Sequence, residues 1–104
     1  MSELPEQYKS IRKRYKGYFG AVNKLGQAAR QAGPIDEKTG HLIQLAAAAT
    51  LGSEGAMHSH VRRALEAGAT PEECRHAVIL LTSTIGFPTV SAALTAVDDI
   101  LEAE

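Results

Sequence analysis

The 104-residue chain has no tryptophan and only five aromatic side chains, three tyrosines and two phenylalanines. Sheets draw much of their cross-strand stability from aromatic and β-branched pairs, whereas the seventeen alanines present here suit helices that approach one another closely. The expected fold is all-α. Cysteine is almost absent: Cys74 is the only one, which excludes an internal disulfide, a CxxC redox pair and a thiolate zinc site within one chain, and fits a cytoplasmic location. Long apolar runs are lacking as well. No stretch approaches the ~18 apolar residues of a membrane span, and Met1-Ser2-Glu3-Leu4-Pro5 leads into no apolar signal core, so neither export nor membrane insertion is expected.

A large net charge is also missing, but the formal value of -1 conceals an asymmetry. Residues 1–35 carry seven basic and two acidic side chains (+5), and residues 36–104 carry four and ten (-6). A bipolar chain can dock its basic segment on an acidic body or a neighbouring subunit, so the basic stretch is not read as a nucleic-acid site.

What is present is helical periodicity. Tyr8, Ile11, Tyr15, Tyr18, Phe19, Val22, Leu25 and Ala29 recur at three- and four-residue steps, predicting one long segment over about 6–31, with Gly17 and Gly20 as its weak point. Gly33-Pro34 stops it, and Asp36 caps a second helix over 36–51 with Leu42, Leu45, Ala46 and Ala49 as its buried stripe. Gly52-Ser53 leads to a third helix ending at Gly68. Thr70-Pro71-Glu72-Glu73 is a capping box opening a fourth over 71–85 with Cys74, Ala77, Val78, Leu81 and Ile85 inward. Pro88 opens the last helix, through Val90, Leu94, Val97 and Leu101, with Asp98, Asp99, Glu102 and Glu104 in solvent. About five helices then share one core: one structural domain, with an N-terminal helical segment, 1–35, packed on residues 36–104.

The third helix carries the residues that could do chemistry. His58 and His60 lie 200° apart on a helix, so the pair is not a ready chelate. His60 falls on the apolar stripe with Met57, Val61 and Ala64, whereas His58 falls with Glu54 and Arg62 at steps of four on the polar side. Two accounts of His60 stand: a neutral imidazole bonded to a backbone carbonyl, and a general acid or base. Glu54, His58 and Arg62 read as a surface charge ladder. A metal held by Glu54 and His58 would need a third ligand from another segment, with His41 and His76 the remaining imidazoles. No metal is assigned. Cys74, on an apolar face, reads as a small hydrophobe with a raised pKa.

Ile35-Asp36-Glu37-Lys38 before an alanine-rich helix, His60-Val61-Arg62-Arg63-Ala64-Leu65-Glu66-Ala67-Gly68, Thr70-Pro71-Glu72-Glu73 and Gly86-Phe87-Pro88 follow one another at spacings that resemble the carboxymuconolactone decarboxylase family. The resemblance spans Asp36 to Leu101 and implies an alkyl hydroperoxidase D-like helical bundle that assembles as a homotrimer or hexamer. The peroxidase branch of that family places its two cysteines where this chain has Ser53 and Ala56. Thiol peroxidase chemistry needs a thiolate and a resolving thiol, which neither residue supplies. Two family glutamates fall at His41 and His76, and a common tyrosine at Thr84.

The resemblance therefore implies a carboxy-lyase-like acid/base enzyme without metal or organic cofactor, acting on a small carboxylated, lactone-type substrate. His60 would move the proton, with Glu54, His41 and His76 as further catalytic candidates and Arg62, Arg63 or Arg75 holding the carboxylate. The alternative is a non-catalytic oligomeric binding or assembly module of the same family.

Overall fold

The computed structural model describes residues 6–103, which form seven helical segments and no strand. They divide into two compact units with the boundary between Ile35 and Asp36.

The first unit holds α1 (Glu6–Arg14) and α2 (Lys16–Gln31). The break expected near Gly17 and Gly20 falls at Tyr15, whose φ of -126° and ψ of 63° leave the helical region, and both glycines lie inside α2. The bend is held by aromatic contact: the Tyr8 ring meets Phe19 edge-on at 5.0 Å, and the Arg12 guanidinium lies 5.7 Å from the Tyr8 centroid. No residue of α1 or α2 is buried. Tyr18, Val22 and Leu25, one stripe of α2 at steps of four and three, stay exposed, Leu25 at 70%.

The second unit contains α3 (Glu37–Leu51), α4 (Glu54–Glu66), α5 (Pro71–Ile79), α6 (Thr82–Ile85) and α7 (Phe87–Leu101). α4 packs on α3 and α7, and α5 lies against the same two helices. Their core is built of Leu45, Ala48 and Ala49 from α3, Met57, Val61 and Ala64 from α4, Cys74 and Val78 from α5, and Val90, Ala93, Ala96, Val97 and Ile100 from α7. Small residues dominate it, so the backbones can come close and each remaining large side chain carries a correspondingly larger share of the packing.

The stripe of α3 differs from the expected one. His41, Leu45, Ala48 and Ala49 face inward, while Leu42 is partly buried and Ile43 and Leu51 are exposed. Apolar residues ring this helix, so periodicity alone left its inward face open. On α7 the buried positions are taken by alanines 93 and 96 as well as Val90 and Val97, with Leu94 and Leu101 only partly covered.

The fourth expected helix is broken in two. The Thr82 hydroxyl donates to the Ile79 carbonyl at 2.7 Å, and the Leu81 amide bonds Val78 rather than the residue four back. A side chain competing for the helix carbonyls ends the regular ladder here. Leu80 and Ile79, expected to widen the buried stripe, are exposed at this break. The C-terminal acids are not all left to solvent either: Asp98 accepts from Arg75 and Asp99 pairs with His58, while Glu104 lies outside the described residues.

Helix ends follow local chemistry. The Thr39 amide donates to Asp36, and Gly52 and Gly68 take the left-handed turns (φ 70° and 102°) that close α3 and α4. The capping box of α5 is complete: the Glu73 amide donates to the Thr70 hydroxyl at 3.1 Å and the Thr70 amide to the Glu73 carboxylate at 2.9 Å. That carboxylate also meets Lys38 at 3.2 Å, tying the start of α3 to the start of α5.

These contacts make two stability predictions. Thr70→Ala should cost about 0.5–2 kcal/mol in chemical denaturation, the usual loss of an N-cap. The bond from Thr70, and then Lys38, hold the Glu73 carboxyl below its ordinary 4.5. A lowered folded pKa means the contribution is complete above about pH 4.5 and is lost as pH falls through the folded value. Glu73→Gln should therefore flatten that part of the acid-unfolding profile.

Candidate active site

His41 from α3 and His60 from α4 meet in the second unit. Their Nδ1 atoms lie 3.3 Å apart, the ring centroids are 5.5 Å apart, and the planes are tilted by 35°. His41 is only 3% exposed and His60 is half-buried. The pairing follows from the local fold: Gly52 and Ser53 alone link α3 to α4, so the two helices turn back on each other, and a face of small residues lets them close. His60 lies one residue from Val61, which is fully buried, and so reaches the edge of the core rather than its centre.

The contact has a chemical requirement. A hydrogen bond between two Nδ1 atoms needs one to carry the proton and the other to offer its lone pair. Two imidazolium ions cannot make it. Protonating both rings would therefore break the contact.

The other candidates lie on α4 and α5. Glu54 is exposed at the start of α4, and its carboxylate clusters with His58 and Asp99. His76 is exposed on α5. Arg75 spends its guanidinium on Asp98 and Glu72, both at 3.0 Å, with Glu102 at 3.8 Å; Asp98, and then Glu72, raise its pKa further. Arg63 is half-buried near the end of α4. Arg62 is different: its Nη1 is buried and has no hydrogen-bond acceptor among the described residues. Buried guanidinium nitrogens are ordinarily paired, because leaving one desolvated costs free energy.

Two residues, one on α3 and one on α7, were not singled out by the sequence. Gln44, one turn after His41 on α3, also buries a side-chain oxygen without a partner among the described residues. Asp99 joins His58 from a helix about forty residues along the chain, and no local pattern pointed to that encounter. Ser53 and Ala56 occupy the start of α4 with no thiol between them. Cys74 is buried on α5, where desolvation and then the nearby Glu73 charge push its thiol pKa up, away from the reactive thiolate.

The fold and site thus define an all-helical domain with paired imidazoles between its two central helices and no thiol pair beside them. The model of the carboxymuconolactone decarboxylase family matches residues 16–99, and the chain belongs to that family. The match begins within the first unit, so it extends over α2 as well as the region whose phrases carry the resemblance. An uncharacterised protein of Methanocaldococcus jannaschii is 28% identical over 95 residues, covering 91% of this chain and 89% of its own length.

Coupling between the rings should be visible directly. In a nitrogen-resolved NMR titration, His41 and His60 should each respond in two linked steps, and His60→Ala should reduce His41 to a single step.

Proposed function

We propose that this family member is a cofactor-independent acid/base catalyst of the carboxy-lyase type acting on a small carboxylated, lactone-type substrate. The observation that carries this reading is the His41–His60 contact, a proton-sharing imidazole pair at the edge of the core. In decarboxylation the bond to the carboxylate breaks, carbon dioxide leaves, and the electron pair stays on the neighbouring carbon until a proton arrives. His60, the less buried ring, delivers that proton as an imidazolium and regains one from solvent. His41 orients it and shares the change of charge. Arg63, one turn after His60 on α4 and half-buried, holds the substrate carboxylate, a role its planar fork suits. Arg75 is already committed to three carboxylates. Glu54, His76 and Arg62 have no assigned part in this scheme.

The proposal includes a homo-oligomer, trimeric or hexameric, in a cytoplasmic setting, without nucleic-acid or membrane partners. Among the described residues no helix is long and apolar enough to cross a membrane. The exposed stripe of α2 and the exposed Leu51, Leu80 and Phe87, the last at 68%, supply apolar surface that a second subunit would cover. Sedimentation should give a trimer or hexamer, and Val22→Glu with Leu25→Glu should shift it toward monomer.

Turnover of a panel of carboxylated lactones tests the chemistry. Wild type should release carbon dioxide, and His60→Ala should lose about 10²–10⁴-fold in kcat, the usual share of a positioned acid or base. Arg63→Ala should act mainly on KM. Equal turnover in wild type and His60→Ala removes His60 from the mechanism. A folded, oligomeric wild type with no turnover favours the assembly module instead.

A further inference from the structure

We infer a divalent transition-metal site formed by Glu54 and His58 of α4 together with Asp99 of α7. This site is separate from the His41–His60 pair, and its imidazole is the one on the polar side of α4. Glu54 and His58 stand four residues apart, so helical geometry stacks them on one face. Packing of α4 on α7 then brings in the third donor: His58 Nε2 and Asp99 Oδ2 are 3.2 Å apart, and one donor atom from each of the three residues lies within 4.8 Å of the others.

One of those distances already matches what a cation needs. With metal–nitrogen and metal–oxygen bonds of roughly 2.0–2.2 Å, two ligands of a tetrahedral zinc lie roughly 3.3 Å apart. The His58–Asp99 separation is already there. Glu54, exposed at the helix start, has only a small side-chain movement to make. The side chains of His58 and Asp99 are 19% and 51% exposed, so a hydrated ion can reach them.

The donor set also selects the ion. One imidazole with two carboxylates suits a borderline cation such as Zn²⁺ better than Ca²⁺ or Mg²⁺, which prefer oxygen throughout. Arg62, one turn further along the same face of α4, adds a positive charge that opposes every dication alike, so the choice of ion rests on the donor atoms. Three protein ligands leave a coordination position open, the arrangement of zinc sites that bind water or a ligand anion rather than serve structure alone. The competing account is a surface ion pair between His58 and Asp99, worth little to stability and needing no Glu54.

Isothermal titration of the full-length, chelator-treated protein with Zn²⁺, and absorption spectroscopy with Co²⁺, separate the two. The site predicts one ion per chain and a four- or five-coordinate Co²⁺ spectrum. Glu54→Gln, His58→Ala and Asp99→Asn should each weaken Zn²⁺ binding at least ~10-fold, and His76→Gln and His60→Ala should leave it unchanged, with circular dichroism verifying that every variant is folded. Absence of stoichiometric binding, or binding that survives both His58→Ala and Asp99→Asn, overturns the site. Retention in His60→Ala makes this result independent of the acid/base reading.

Discussion

The packing of α3 against α4 is the constraint on which the rest of the second unit depends. Leu45, Ala48 and Ala49 on one side and Met57, Val61 and Ala64 on the other are small enough, apart from Leu45 and Met57, for the two backbones to close. The two-residue link at Gly52 and Ser53 forces the helices to turn back on each other, so any polar residue on the facing stripes must find its partner across the seam. His41 and His60 are that pair. Their contact satisfies a polar group that would otherwise be costly inside an apolar interface, and it places two titratable rings where their protonation states depend on one another.

Around that seam the charges are mostly spoken for. Lys38 serves Glu73, Arg75 serves three carboxylates, and His58 serves Asp99. These pairs fasten α3 to α5, α5 to α7 and α4 to α7, and their value lies in orienting helices more than in net stabilisation, since each is at least partly open to water. Arg62 stands out because one of its buried nitrogens takes no part in this pattern.

Membership of the carboxymuconolactone decarboxylase family sets the frame in which this chain departs. It has no thiols at positions 53 and 56, and its single cysteine is buried with a raised pKa, so its chemistry cannot run through sulfur at that site. An imidazole stands at position 41, where the resemblance leads one to expect a carboxylate. A carboxylate beside His60 would favour the imidazolium by opposite charge; a second imidazole disfavours a second proton instead. The pair is therefore suited to passing one proton, not to holding a permanent ion pair.

Much of this was written in the sequence alone. Alanine abundance and the lack of aromatics dictated helices, the Gly52-Ser53, Gly68, Thr70-Pro71 and Gly86-Phe87-Pro88 punctuation dictated where most of them begin and end, and the step-of-three-and-four pattern put His60 on the core side of its helix. These features are local: each depends on residues within a turn or two. The bend at Tyr15 and the break at Leu80 were less legible because a Tyr8–Phe19 ring contact and a Thr82 hydroxyl, not glycine or proline, produce them. Only the tertiary structure decided which face of the apolar-ringed α3 turned inward, and with it that His41 rather than His76 meets His60. It alone brought Asp99 to His58, since packing of α4 on α7 joins residues far apart in the chain and no periodicity within either helix encodes the other's register.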